Sequence, residues 1–460
     1  MTSPSVSPTG ITTAGTSHHT RAHRKLLAAG LIDSSIEWYD FFLYGTAAAL
    51  VFPHVFFPDS SPLMGTLLSF STFWAGFVAR PLGGLVAGHF GDRYGRKPVV
   101  VVCLLLMGLA TFLIGCLPSA AAIGVLAPIL LVTLRFLQGL ACGGQWGGIV
   151  LLLTESADPK RRGFAGTFGQ MGVPCGVILG NVAFLTATAA MSNEVFLDWG
   201  WRIPFLASAA LFPVVLYIQT KVEDTPEFRE LQAEVAAKRP EQQVVQAPLA
   251  EAIRTHWRKI LLGCGLLAAT NSLFYISIAG VLSYGTTELG MDRNSILAIS
   301  LASSLVGLGF ILWSGWISDR IGRRPMIMIG AAALVLWAFP YFWLVNTANL
   351  ALFAVAVTVG SIFQSMTYGP LAAYLGELFE PNVRLSGASL AYQLAAVTVS
   401  GGTPFIMTAL IANTGTTTLV SVFVALMGAL TLFSAWVLKE TNPAEVRRDP
   451  KAVPGIAHAR

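Results

Sequence analysis

The chain has 460 residues, of which 54% are apolar and only 12% charged, with a net charge of +5. Soluble domains carry about 25% charged residues. A chain of mean hydropathy +0.65 could not cover its surface with polar groups, which excludes an ordinary soluble enzyme and makes lipid the expected solvent.

The first 20 residues are rich in Ser, Thr, Gly and Pro and have no apolar core. Residues 1–24 are therefore expected to be a disordered tail, with no cleavable signal peptide. A spanning helix needs about 20 mostly apolar residues. Six such stretches lie near 26–52, 63–90, 98–117, 124–154, 163–190 and 203–220. Six more lie near 259–286, 294–317, 325–345, 349–376, 385–412 and 416–438. Pro118 and Pro128 leave the start of the fourth open. Between the sets, 221–258 is charged and rich in Gln and Ala, with a short amphipathic helix expected near 226–238. The layout is thus a bundle over 25–220, a loop over 221–258, a bundle over 259–438 and a tail over 439–460.

Basic residues set the orientation. Of 29 Lys and Arg, 25 fall on one side of this layout, and only Arg202 and Arg293 fall on the other. Both termini and the loop 221–258 are therefore expected in the cytoplasm. Arg80 and Arg135 lie within helices. The cysteines Cys103, Cys116, Cys142, Cys175 and Cys264 each sit in an apolar run and read as small core residues.

The halves repeat each other. Gly91-Asp92-Arg93-Tyr94-Gly95-Arg96-Lys97-Pro98 matches Ser318-Asp319-Arg320-Ile321-Gly322-Arg323-Arg324-Pro325, and Glu155 to Arg162 echoes Glu377 to Arg384. Repeated halves are a transporter architecture, with the substrate site between them near the midplane.

With these loops the chain resembles the major facilitator superfamily, whose signature D-R-x-G-R-[KR] appears twice. It resembles more narrowly the metabolite:proton symporter family of shikimate, citrate, 2-oxoglutarate and proline/betaine carriers. The motifs are Ile36-Glu37-Trp38-Tyr39-Asp40-Phe41, Ala79-Arg80-Pro81-Leu82-Gly83-Gly84, Leu134-Arg135-Phe136-Leu137-Gln138-Gly139, Gly143-Gly144-Gln145-Trp146-Gly147-Gly148, Gly200-Trp201-Arg202-Ile203-Pro204-Phe205-Leu206 and Gly376-Glu377-Leu378-Phe379. The likeness covers roughly 25–440. The stretches Ala127 to Arg135 and Gly88 to Arg93 look most like the shikimate-type carriers. Two positions depart: Gln145 stands where the family has Glu, and Asp33 where it has a small residue. The resemblance implies an all-α membrane protein of twelve transmembrane helices in two six-helix bundles, with helices 1, 4, 7 and 10 lining the cavity.

On helix 1, Asp33, Glu37, Asp40 and Tyr44 fall within about a 60° arc at about 100° per residue. Acids on a spanning helix must face a cavity or a cation. Shielding from water favours the neutral form of any carboxyl, which suits a group that binds and releases a proton. Asp40, Glu37 and Asp33 are the candidates for proton coupling, a structural ion pair being the alternative. Arg135 offers a planar fork to a carboxylate. Gln138 and Gln145 supply neutral hydrogen bonds on one face of helix 4. Tyr39, Asn271, Tyr275, Tyr368 and Gln393 complete the substrate candidates. Arg80, next to Pro81, reads as structural, as do the small-residue repeats Gly139, Gly143 and Gly147, and Gly144 and Gly148. The gating candidates are Asp92, Arg93 and Arg96, their counterparts Asp319, Arg320 and Arg323, and Glu155 and Glu377. Asp92 and Asp319 are expected to cap the helices that follow them, and the resemblance implies that Glu155 and Glu377 pair with the basic residues.

No Walker loop, HExxH motif or Ser-His-Asp set is present, and His54, His89 and His256 stand singly. No enzymatic activity, metal or cofactor is expected. The partners expected are a small-molecule substrate, a proton and the bilayer, with no nucleic acid and the chain acting as a monomer in the cell (inner) membrane. The activity that best fits is proton-coupled uptake of a small organic acid, shikimate-like in the first instance. An uncoupled facilitator or exporter, including one for zwitterions such as betaine or proline, is the alternative; a membrane metabolite sensor is disfavoured.

Overall fold

A computed structural model describes residues 14–94, 96–143, 153–154, 157–158, 160–210, 213, 248–380 and 383–441. Among them there is helix and no strand. The long helices in chain order are α1 (Ala14–Leu50), α2 (Pro62–Tyr94), α3 (Arg96–Cys116), α4 (Leu126–Gly143), α5 (Arg162–Ala190) and α6, which begins at Arg202–Ala207. The second half has α7 (Ile253–Thr287), α8 (Arg293–Ile321), α9 (Arg323–Val345), α10 (Leu350–Leu378), α11 (Arg384–Thr414) and α12 (Thr418–Val437). Nine of the described helices are long and apolar enough to cross a membrane, and α3 adds a shorter apolar run, Val101–Cys116.

Two boundaries differ from expectation. The described helix α1 begins at Ala14, inside the stretch expected as a disordered tail. No proline lies beyond Pro8 until Pro53, so a helix nucleated by the apolar segment extends backwards at little cost per residue. Likewise a helix begins at Pro248, inside the expected loop, and kinks at His256, whose φ of −122° and ψ of 17° are non-helical. The expected amphipathic helix near 226–238 lies outside the described residues. Pro128 sits in the first turn of α4, where the missing N–H has no helical partner to lose.

Close packing of α2 on α4 fixes the first half. A Cβ on Gly139 would lie 2.0 Å from the Gly76 carbonyl oxygen, and one on Gly143 1.9 Å from that of Arg80. Two glycines of the expected repeat thus bring the backbones into contact; Gly144, Gly147 and Gly148 lie outside the described residues. In the second half, α7 and α11 each carry a π-helical turn, at Ile276–Gly280 and Ala396–Ser400. Such turns re-aim side chains and are frequent at functional sites.

The halves meet at both ends of the bundle. At the end bearing the Asp-Arg loop, the Asp319 carboxylate accepts from the backbone N–H of Gly163 and Phe164, each at 2.9 Å. Asp319 therefore caps α5, a helix of the other half, rather than the helix that follows it. The same carboxylate pairs with Arg323 at 2.6 Å, and Arg323 lies 3.5 Å from Glu377, as the paired-charge expectation had it. The cap on α9 comes from Glu440, whose two oxygens accept from the N–H of Arg323 at 3.0 Å and Arg324 at 2.9 Å. Thr441 donates to Glu377 at 2.7 Å. Arg320 was expected here, but its guanidinium stacks on Trp316 at 3.8 Å. Asp92, Arg93 and Arg96 lie in helices whose side chains are outside the described set, and Glu155 is outside it altogether. At the opposite end, Trp74 donates to the Val397 carbonyl at 2.8 Å and Thr188 to Asn294 at 2.7 Å.

Two outcomes follow. Gly139→Val drives a branched side chain into the Gly76 carbonyl and should cost about 1–3 kcal/mol or more, read as a lower melting temperature in detergent. Asp319→Asn keeps one capping oxygen but removes the charge that holds Arg323. It should make a cysteine placed in the cavity wall react with a membrane-impermeant thiol reagent from the loop side several-fold faster than the parent, and an unchanged rate counts against the lock.

Candidate functional site

The stripe of acids on α1 comes to rest against α2, α3 and α4. Glu37 and Asp40 are 3% and 4% exposed, Arg80 is 2%, and Arg135 is wholly buried. Arg135 has room because Gly76 has no side chain: a Cβ there would lie 2.5 Å from the arginine Nε. Its guanidinium lies over the rings of Phe41 at 3.9 Å, Tyr44 at 4.3 Å and Phe73 at 5.0 Å. The Arg80 guanidinium lies over Phe41 at 4.3 Å, Phe77 at 5.0 Å and Trp38 at 5.5 Å. No carboxylate stands within 4.0 Å of either cation among the described residues.

A short chain of hydrogen bonds runs from the cation toward the acid. Arg135 Nη1 donates to Gln138 Oε1 at 3.1 Å, and Gln138 Nε2 donates to Thr111 Oγ1 at 2.6 Å. Thr111 donates in turn to the Met107 carbonyl at 3.0 Å, beside Asp40. Glu37 accepts from the Cys142 thiol at 2.6 Å. Aromatic rings shield a cation through their faces but cannot accept its in-plane N–H groups. Among the described residues, Nε and Nη2 of both arginines are buried without a partner, and so is Asp40 Oδ1. Each unpaired donor costs about 1–3 kcal/mol, more when charged. Four such donors in one cluster can take up an acceptor brought to them.

The second half closes over this cluster. Tyr275 lies 5.4 Å from Phe77 and 6.0 Å from Phe73, ring to ring, and Phe274 packs on Phe42 at 5.5 Å. Tyr368 and Tyr392, from α10 and α11, lie next to one another within electrostatic reach of Arg80. Gln393 Nε2 reaches across to the Gly143 carbonyl at 3.2 Å. Of the sequence candidates, Glu37, Asp40, Arg135, Gln138 and Tyr275 therefore come together, with Tyr368 and Gln393 at the edge. Tyr39 does not join them: its hydroxyl donates to the Pro204 carbonyl on α6 at 2.9 Å. Asn271 donates to Ser400 at 2.8 Å, inside the second half. The side chain of Asp33 and all of Gln145 lie outside the described residues.

Sequence reasoning missed a second feature. Beyond Phe274 and Tyr368, between α5, α7, α8 and α10, lies a cavity of about 40 Å³ walled by Ser277, Ser300, Ser303, Ser304, Ser361 and Ser365. At about 10–15 Å³ per water it holds roughly three waters. Ser304, Ser361 and Ser365 donate to the carbonyls of Ser300, Ser303 and Gly307, which leaves their lone pairs free to accept. The only hint in the sequence is the density of serines on α8 and α10.

The chain matches the family model described as "Sugar (and other) transporter" over residues 27–446. It is 40% identical over 398 residues to the inner membrane metabolite transport protein YhjE of Escherichia coli K12, covering 85% of this chain and 89% of that protein. It is 39% identical to the shikimate transporter of the same strain (86% and 90% covered) and 32% identical to the proline/betaine transporter of Salmonella typhimurium (84% and 78%). Its fold is shared with the crystal structure of a D-xylose-proton symporter, with TM-score 0.69 at 17% identity over 91% of this chain and 98% of that one. A partially occluded, inward-open form of the xylose transporter XylE from Escherichia coli gives 0.68 at 16% identity over 92% and 99%. Twelve helices in two six-helix bundles, the fold of the major facilitator superfamily proton:xylose symporter, and a transporter rather than an enzyme, are what these findings and the helix order describe: the chain belongs to the sugar (and other) transporter family.

Proposed function

We propose that the protein takes up a small organic acid together with protons, by alternating access between bundles 25–220 and 259–438, and that a shikimate-like hydroxylated carboxylate is its first substrate to test. The observation that carries this reading is the burial of Arg135 with two unpaired nitrogens beside Asp40 and Glu37. A substrate carboxylate satisfies the guanidinium fork in two parallel hydrogen bonds. Its arrival adds a negative charge to a site that already holds two acids. Proton uptake by Asp40 or Glu37 restores the balance, since like charges in a poorly solvated site raise each other's cost. Gln138 is hydrogen-bonded to Arg135 and to Thr111, and Asp40 lies in the field of Arg135, so a change of charge at the acid is felt at the cation. The tyrosines and Gln393 of the second half complete the enclosure when the bundles close.

The bias of 25 of 29 basic residues to one side supports cytoplasmic termini and an inner-membrane location. In that orientation the lock of Asp319, Arg323, Glu377 and Glu440 closes the cytoplasmic mouth. A zwitterion such as betaine or proline is the second reading. It is favoured by the aromatic walls, which suit a quaternary ammonium, and by likeness to carriers of that name.

The test is uptake of labelled shikimate into proteoliposomes, with and without an inward proton gradient, competed by unlabelled acids, betaine and proline. Accumulation above equilibrium only with the gradient is expected. Asp40→Asn with Glu37→Gln should abolish that accumulation while leaving substrate exchange at zero gradient measurable. Gradient-driven accumulation that survives the double substitution removes both acids from the coupling step.

A further inference from the structure

Arg80 has the placement of a second anion-binding residue. A structural arginine in this protein looks different: Arg202 donates to the carbonyls of Asp198 at 2.6 Å and Leu117 at 3.1 Å. Arg80 is 2% exposed, yet its Nε and Nη2 have no acceptor. The neighbouring Trp38 Nε1 is buried without one as well. Arg80 and Arg135 share the Phe41 ring, at 4.3 and 3.9 Å from its centroid, so their guanidinium carbons are at most 8.2 Å apart (4.3 plus 3.9). Five buried donors on three side chains thus converge round one aromatic ring, with Asp40 Oδ1 as the unpartnered carboxylate oxygen beside them. Glu37, whose charge acts on Arg80, accepts from Cys142 instead.

We infer that Arg80 is a substrate-binding, specificity-determining residue, and that the transported acid carries two acceptor groups: a carboxylate held by Arg135 and a second oxygen, of a hydroxyl or another carboxylate, held by Arg80. This rests on the reading of the Arg135 cluster as the substrate site and names the class of acid that site prefers. One anionic end satisfies one planar fork. A simple monocarboxylate placed on Arg135 leaves the Arg80 donors unpaired in a closed site, and sites built to hydrogen-bond a group reject analogues that lack it. A small ring acid with hydroxyls, or a short dicarboxylate, carries an acceptor for each of the two cations.

The experiment compares kcat/KM in proteoliposomes for shikimate, succinate and cyclohexanecarboxylate, the last having one acceptor end only. In the parent protein, at least one of the first two should exceed cyclohexanecarboxylate by about tenfold or more, the worth of a lost charge-assisted hydrogen bond. Arg80→Gln should lower that ratio about tenfold, and Arg80→Lys should recover part of it. Arg135→Gln should lower uptake of all three acids. Whether the recovered ratio is for shikimate or for succinate separates a hydroxyl from a carboxylate at Arg80. An Arg80→Gln protein that slows every acid equally, or none, overturns the assignment and makes Arg80 a packing residue. If Arg80→Gln does not fold, the parent's preference decides: equal rates for one-ended and two-ended acids overturn the proposal. Should the parent carry no acid at all, the organic-acid reading falls first and this inference with it, an outcome distinct from transport without selectivity.

Discussion

Two arginines held in an apolar bundle without carboxylates in contact are the constraint on which this structure turns. Taking a guanidinium out of water costs several kcal/mol even after relaxation. A ring contact returns about 0.5–2 kcal/mol. The arrangement is tolerable because Glu37 and Asp40 are near enough to offset the charge without quenching the N–H groups. Much of the first half serves this placement. Gly76 gives Arg135 its space, Gly139 and Gly143 bring α4 onto α2, and Phe41 is held edge-on to Phe77 at 4.7 Å so that both cations can lie against it. The second half contributes few charges to the site. It supplies lids of tyrosine and amide and a small serine-walled space, elements that can separate and re-form without moving a charge through lipid.

Such a division suits alternating access. An element that must rock should meet its partner through bonds that break singly. Besides the ring contacts of Phe274 and Tyr275, hydrogen bonds of this kind join the halves: Trp74 to Val397, Gln170 to Tyr368, Asn181 to Ser300, Thr188 to Asn294, Gln393 to Gly143, and the Asp319 carboxylate on two N–H groups of α5. Each is worth about 0.5–1.5 kcal/mol net, or somewhat more for the charged cap. A few kcal/mol on each face can then be offset by a bound substrate with differential affinity for the two states.

The spans were legible because membrane helices announce themselves by composition, and the acid stripe of α1 because a helical repeat converts sequence spacing into a face. Distance between helices was not. Asp319 lies within a recognised loop, but its capped helix belongs to the other half, 156 residues away. Tyr39 and Asp40 are neighbours in sequence, yet about 100° round the helix separates a hydroxyl bound to α6 from an acid in the site. Arg80 beside Pro81 read as structural, since only coordinates display donors that lack acceptors. The serine cavity needs four helices to exist and is written in none of them alone. The start of α1 failed for another reason: a polar composition argues against a packed core, not against continuing a helix already formed.

The cap on α9 carries an implication for how the molecule is made. Glu440 follows the last spanning helix, and its carboxylate finishes the end of α9, more than a hundred residues earlier. Thr441 then ties the same segment to Glu377 on α10. While the chain is being synthesised, every helix of both bundles has emerged before these two residues do. The cap on α9 and the tie to Glu377 are consequently made only after both bundles have been synthesised, whereas the Asp319 cap on α5 needs neither residue.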